Sequence, residues 1–285
     1  MSTLVEGARL DVIPRPASSF QRNLNLVREL AITNFKLKYT GSALGYLWSL
    51  VKPLMLFGIM YAVFARLLRA GAGAPEFEVQ LLFAIVLWNF FVESTSTAIN
   101  SIASAGSLIR KAYFPRWIIV VSSTLTALMT FVINTCLILL ITVPIGHMHP
   151  SLRSFIAPVF FLELVMLITG LSLLLSALFV FYRDVGHIWE IISLVLFYAS
   201  GIVFPFTVFV TAPGVHPSRD FWFAGFNPIA QIVQDLRAAL VDPGIHPTVF
   251  YMGPAFVVPV LIVVALFAIG FVVFHRLTPR FAESL

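Results

Sequence analysis

The residues most suited to recognition chemistry lie between Ser107 and Pro115, where Arg110 and Lys111 sit among Leu108, Ile109, Ala112, Tyr113 and Phe114. A connector between two apolar runs needs only polarity and freedom. A loop that adds large apolar and aromatic groups to two cations has the composition of a docking surface. Taken alone, Arg110 and Lys111 are equally compatible with ordinary topology charges. Pro115 lacks a backbone N–H and suits the first turn of a new helix, which brings Arg116 and Trp117 to an interface. Elsewhere, Glu93 and Asn100 stand inside an apolar run beside Ser94, Thr95, Ser96 and Thr97. An ionisable group there marks a functional surface, or a carboxylate bonded to neighbouring hydroxyls. Lys36 and Lys38, close to Phe35 and Tyr39, could meet a phosphate as point charges, or attract anionic lipid in general.

The chemistry that is missing narrows the field. There is no GxxxxGK[ST] phosphate loop, dinucleotide glycine fingerprint, HExxH or GxSxG. The chain carries no catalytic constellation. Cys136 is the single cysteine and sits mid-span as a small packing residue, so neither a disulfide framework nor a cysteine metal site exists. His147 and His149 lack nearby acidic or thiol partners, and no metal site is expected. Energy for uphill movement must come from an ion gradient or a separate ATPase. Few carboxylates lie in the spans and no pair of spans is broken in matching halves, which weakens the gradient reading.

The elements that would position these residues are membrane helices. Of 285 residues 59% are hydrophobic and only 11% charged, against about a quarter charged in soluble domains. The apolar runs are too long and too little alternating for a barrel. Residues 1–19 form a polar tail without a signal-peptide core. Residues 20–43 begin with Phe20, Leu24, Val27, Ala31 and Phe35 at helical spacing, an amphipathic interface helix. Gly41 and Gly45 make a GxxxG that is either a packing face or a turn into the membrane. A six-helix unit then fills 44–275, with spans near 44–67, 79–102, 117–145, 155–181, 187–206 and 255–274, and a tail at 276–285. Lys52 and Pro53 predict a snorkelling cation and a kink near the start of the first span. Between spans five and six, Ile229, Ile232, Val233, Leu236 and Leu240 mark an amphipathic helix resting on or dipping into the membrane. Thirteen of the eighteen Lys and Arg fall on the side of the termini, which makes both termini cytoplasmic.

Five linked stretches carry a resemblance: RELAITNFKLKYTGSALGYLWSLVKPL from Arg28 to Leu54, LWNFF, SLIRKAYFP, FYRDVGHIW from Phe181 to Trp189, and FNPIAQIVQDLRAAL from Phe226 to Leu240. Their order and spacing resemble the permease subunit of type-2 ABC exporters of polysaccharides, the O-antigen, capsule, teichoic-acid and galactan exporters. The resemblance implies an all-α integral membrane protein of six transmembrane helices, with an N-terminal interface helix and external re-entrant helices between spans five and six. It implies that Ser107 to Phe114 form a cytoplasmic coupling helix, with Arg183 and Asp184 joining the ATPase contact. It also implies that Phe35, Lys36, Lys38 and Tyr39 line the place where cargo enters. The implied assembly is a homodimer with two copies of a separate ATPase, which would hold ATP and Mg, with no cofactor on this chain and no nucleic-acid partner. The implied cargo is a glycan on a pyrophosphate-bearing lipid, moved outward across a bacterial inner membrane.

A sugar channel favours aromatic faces and exchangeable hydroxyls. Trp48, Tyr61, Trp88, Phe90, Phe91, Phe197, Tyr198 and Phe204 are candidates as a set, each also suited to a lipid-facing or belt position. Two rivals share parts of this reading. A type-2 permease for a small amphiphile or drug would keep the docking loop without needing the aromatics. An ion-coupled carrier or a glycan-processing membrane enzyme would work without an ATPase, the enzyme through Glu93 or Glu163.

Overall fold

The computed structural model describes residues 19–41, 45–68, 76–107, 114–144, 148–149, 151–204, 206 and 225–281. Every regular element among them is helical. The first, α1 (Ser19–Tyr39), is followed by Thr40 and Gly41, and α2 (Leu47–Met60) begins after Gly45 and Tyr46. Gly41 and Gly45 hold φ of 82° and 48° with no neighbour near their Cα hydrogens. Both glycines of the GxxxG thus hold left-handed backbone, which glycine permits. α2 runs through Pro53 and widens into a π-helical segment, Tyr61–Leu67, which Leu68 closes by donating to the Val63 carbonyl at 2.9 Å.

The long helices α3 (Phe77–Ser104), α4 (Trp117–Thr142), α5 (Ala157–Phe181, entered through a 3-10 turn at Leu152–Ile156) and α9 (Val257–Leu277) build the bundle. Between the last two come α6 (Val185–Ala199), α7 (Pro228–Leu240) and the short α8 (Thr248–Met252). Among the described residues, five stretches are long and apolar enough to cross a membrane: Leu47–Leu67, Phe77–Ser104, Trp117–Leu140, Leu152–Phe181 and Thr248–Arg280. The chain is a multi-pass membrane protein. The expected fifth span corresponds to α6, whose 15 residues at about 1.5 Å each fall short of a hydrocarbon core of about 30 Å.

α3 is the central post, packed on α4, α5 and α2, while α1 lies along α4 and α9 along α5. In a bilayer, helices gain little from hiding apolar surface from one another, so close fit carries association. Gly170 and Gly270 make that fit. A Cβ on Gly170 would stand 2.5 Å from the Phe267 Cα, and one on Gly270 would collide with the Gly170 carbonyl.

One expectation needs correction. Of the two alternatives for α7, resting on the membrane surface is the one that fails: Ile229 through Ala239 are all buried, the polar side included. It is wrapped by α5, α3 and α9. The cost of burying that polar side is met by hydrogen bonds described below. Cys136, expected in packing, is exposed on α4.

Candidate functional site

A polar cavity runs between α1, α3 and α4, and the sequence builds it from one repeated spacing. Residues four apart lie on one helix face. α1 contributes Asn34 and Lys38, α3 contributes Asn89, Glu93, Thr97 and Ser101, and α4 contributes Ser122, Thr126, Thr130 and Asn134. These three rows line two adjoining chambers. One, about 420 Å³, holds Asn34, Thr97, Ser101, Ser104, Ser122 and Ser123 near the α3 end that leads to residue 105. The other, about 710 Å³, holds Tyr39, Trp48, Lys52, Asn89, Thr130 and Asn134. Lys38, Glu93 and Ala127 border both.

Lys38 and Glu93 form an ion pair at that junction, each side chain about a third exposed. A pair so open to solvent contributes little to stability. Its position is what matters, since it links α1 to α3 where the chambers meet. Lys38 also lies 5.1 Å from the Tyr39 ring centre.

The hydroxyl rows have a defined polarity. Thr97 donates to the Glu93 carbonyl at 2.7 Å, Ser101 to Ala98 at 2.7 Å, Ser122 to Ile119 at 2.8 Å and Thr126 to Ser122 at 2.9 Å. These hydrogens point to carbonyls of their own helix, Thr126 sharing its one with Ala31 of α1, which leaves oxygen lone pairs for a second partner. Donors face the same space from Lys38, Lys52 and Asn89, whose Nδ2 finds no hydrogen-bond partner among the described residues. The walls are held in register by Thr126 with the Ala31 carbonyl at 3.2 Å, by Tyr39 and Thr130 hydroxyls 3.3 Å apart, and by Asn134 donating to the Ser49 carbonyl at 3.1 Å.

The structure separates residues grouped by sequence. Lys38 and Tyr39 face the chambers, whereas Phe35 and Lys36 face an apolar groove on the other side of α1. Among the aromatics, Trp88, Phe90, Phe91 and Phe197 are buried in the core of the chain, Tyr61 and Phe204 are half-buried, and Trp48 and Tyr198 are exposed. Asn100 is exposed on α3. Of the docking segment, Leu108, Ile109, Arg110, Lys111, Ala112 and Tyr113 lie outside the described residues. Ser107 is exposed on its near side. Phe114 packs beneath an apolar cluster of Ile102, Val180, Phe274 and Phe281. Arg183 and Asp184 are exposed in the turn before α6, with the Arg183 guanidinium 5.2 Å from the Phe179 ring centre.

A second polar cluster had been missed. Arg237, only 1% exposed, donates to the carbonyls of Gly201 (2.9 Å), Ile202 (2.7 Å) and Gln80 (3.3 Å). Burial pulls its pKa down to about 9, which still leaves the guanidinium charged. Asp235 accepts from the Thr248 N–H at 2.6 Å and from Gln231 at 2.8 Å. Burial outweighs those bonds and raises its carboxyl above the ordinary value. The sequence signal was present as Gln231, Gln234, Asp235 and Arg237 on an otherwise apolar helix, but it reads as a solvated face until the wrapping helices are known.

The cavity built from three polar rows in a helical membrane bundle is what the comparisons with known proteins bear on. Residues 25–241 match the ABC-2 type transporter family. The chain belongs to that family. Among its relatives are two proteins of Klebsiella pneumoniae named O-antigen export system permease protein RfbA. The first is 26% identical over 260 residues, spanning 90% of this chain and 94% of the relative. The second is 25% identical over 259 residues, spanning 90% and 94%. A protein of the same name from Myxococcus xanthus is 24% identical over 260 residues, spanning 91% and 95%. The matched stretch covers the long apolar helices α2 to α5, so what the family shares with this chain is the membrane-spanning part of a transporter.

Proposed function

We propose that this chain is the membrane subunit of an ATP-driven exporter that carries a lipid-linked polysaccharide from the cytoplasm across the inner membrane. It would act as a homodimer with two copies of a separate ATPase that hold ATP and Mg. The observation that supports this reading most is the cavity: three stride-four rows that offer hydroxyl acceptors and a few cationic donors suit a cargo rich in hydroxyls with an anionic head. Relatives matched along almost their whole length, all named O-antigen export permeases, support the glycan class.

The mechanism follows from connectivity. Ser107 to Phe114 join the ends of α3 and α4, the two helices that carry most of the cavity wall. ATP-driven closure of the partner subunits would move this segment and slide those two rows against α1. Lys38 would then exchange its bond to Glu93 for the cargo's phosphate, with plain hydroxyl exchange along the rows for the sugars. Both termini would be cytoplasmic.

The test is reconstitution of the chain with its ATPase, comparing wild type with a Leu108→Ala, Tyr113→Ala, Phe114→Ala triple variant. The expected result is that wild type holds the ATPase and moves lipid-linked glycan with ATP, while the variant loses the complex. An ATPase held equally well by the variant would overturn the docking role, and stimulation by hydrophobic drugs with no glycan movement would favour a small-amphiphile permease.

A further inference from the structure

Where α9 ends, the chain does not leave the bundle. Thr278–Arg280 form a 3-10 turn around Pro279, and Thr278 donates its hydroxyl to the Phe274 carbonyl at 2.6 Å. The turn carries Phe281, the one aromatic residue among 278–285, back inward to 0% exposure. Its ring centre lies 5.6 Å from that of Phe274 on α9 and 6.1 Å from that of Phe181, the last residue of α5. Segments that follow a helix normally run over the surface, so a ring sunk this deep ties the segment down.

Two groups from the docking side meet it there. Phe114 packs against the same apolar cluster, which Ile102 of α3, Ile119 and Val120 of α4 and Val180 of α5 complete. Arg116, at the start of α4, donates from Nη1 to the Thr278 carbonyl. Carbonyls at the end of a helix lack partners in their own helix and form the negative end of its dipole, so a guanidinium caps them well. Only Pro115 separates Arg116 from Phe114. The stretch that leads from the docking segment into α4 is therefore fastened to the foot of α9 twice, by a charge-assisted bond and by packed rings. α9 in turn is fixed to α5 where Gly270 meets Gly170.

We propose that Phe281 and Arg116 form a pivot that pins the start of α4 to the α5–α9 pair, so that movement of the docking segment tilts α3 and α4 instead of being absorbed in the loop. Both are positioning residues, since neither lines the chambers. This pivot rests on the docking role of Ser107 to Phe114 given above and supplies the fixed point against which that segment works. Two independent features carry it. The ends of α3, α5 and α9 and the start of α4 converge on one cluster, and the residue next to the docking segment grips the backbone just past α9. Packing alone would need only the ring.

The experiment uses the full chain in complex with its ATPase in liposomes and reads three quantities on each preparation: ATPase retained, ATP hydrolysed, and lipid-linked glycan moved per ATP. Phe281→Ala and Arg116→Gln are expected to keep the ATPase and its turnover, while glycan moved per ATP falls about tenfold, within the usual range for coupling between two sites. Phe281→Leu, which refills the socket, and Arg116→Lys, which keeps a donor, restore most of it. The double variant is expected to lose no more than the worse single one, because two ties of one pivot do not add. Glycan moved per ATP that matches wild type in both single variants overturns the pivot. Loss of the ATPase from Phe281→Ala does the same, since it makes the ring part of the docking surface, and so does a parallel fall in turnover and transport, which marks damage to the fold. Should Phe281→Ala not fold, Arg116→Gln with its Lys rescue carries the test alone. Absence of ATP-driven glycan movement in wild type defeats the export reading and the pivot with it, whereas movement with unchanged coupling in the variants defeats the pivot alone.

Discussion

Two polar clusters among the described residues, one around α7 and one around the chambers, are treated oppositely. Around α7, Arg237, Asp235 and Gln231 are almost fully buried and bonded to carbonyls, an N–H or one another. Around the chambers, Lys38, Glu93, Asn34, Thr97 and Ser101 are partly or fully exposed and, with the more deeply set row of α4, surround open volume. Polar groups that consume one another fix a structure, because removing one leaves its partners buried and unpaired. Polar groups arranged around space keep capacity for a ligand. The first cluster is read as the lock that holds α7 in the bundle, the second as the site.

The comparison breaks most readily at Arg237. Arg237→Met leaves three carbonyls facing an apolar side chain, and the loss should be about 3 kcal/mol, read as a fall in the unfolding temperature of the purified protein. Arg237→Lys should rescue little, because an ammonium lacks the fork that reaches separated acceptors. If Arg237→Met unfolds like wild type, the lock is no lock.

Next in size is Asp235. Its raised pKa makes the ionised form the costly one in the folded state, so its contribution is full below the ordinary value of 3.8 and is lost as pH rises through the raised one. Unfolding temperature measured against pH should show this decline in wild type and a flattened profile in Asp235→Asn. An unchanged profile would remove Asp235 from the lock.

The chambers should answer in the reverse sense. Lys38→Met and Glu93→Gln each break an open ion pair, so unfolding should shift by less than about 1 kcal/mol while glycan movement collapses in Lys38→Met. The exchange Lys38→Glu with Glu93→Lys restores the link between α1 and α3 but moves the cation to the other helix. Restored transport in that double variant would show that the link alone matters and would sink the anion role of Lys38. The smallest effect is expected at Thr126→Val, about 1 kcal/mol from the hydrogen bond to Ala31, with α1 loosened in hydrogen exchange.

Much of this was legible in the sequence. Apolar run lengths placed five long helices within a few residues, and Asn227 with Pro228 announced the start of α7, where the Asn227 side chain does accept from the Ile229 N–H at 3.0 Å. The row Asn89, Glu93, Thr97, Ser101 could have been read at its period. It was hidden because Ser94 and Thr95 are interleaved with it on another face, Thr95 accepting from the Trp189 indole N–H at 3.1 Å. A period tells that residues share a face, never which helix that face will meet. For the same reason Phe35, Lys36, Lys38 and Tyr39 read as one surface, until the α4 contact split them between groove and chamber. The turn Arg183–Asp184 gave no warning that α6 would be so short.

The glycine contact between α5 and α9 has a mechanical consequence. Two backbones that touch with no side chain between them cannot slide past each other by a fraction of a turn, since the next position would drive a Cβ into a main-chain atom. α5 and α9 are thus bolted into one beam. α2, by contrast, packs on α3 along one edge and leaves most of its own surface unburied. The lightly packed α2 is where such a structure resists displacement least, and the beam is the fixed jamb beside it.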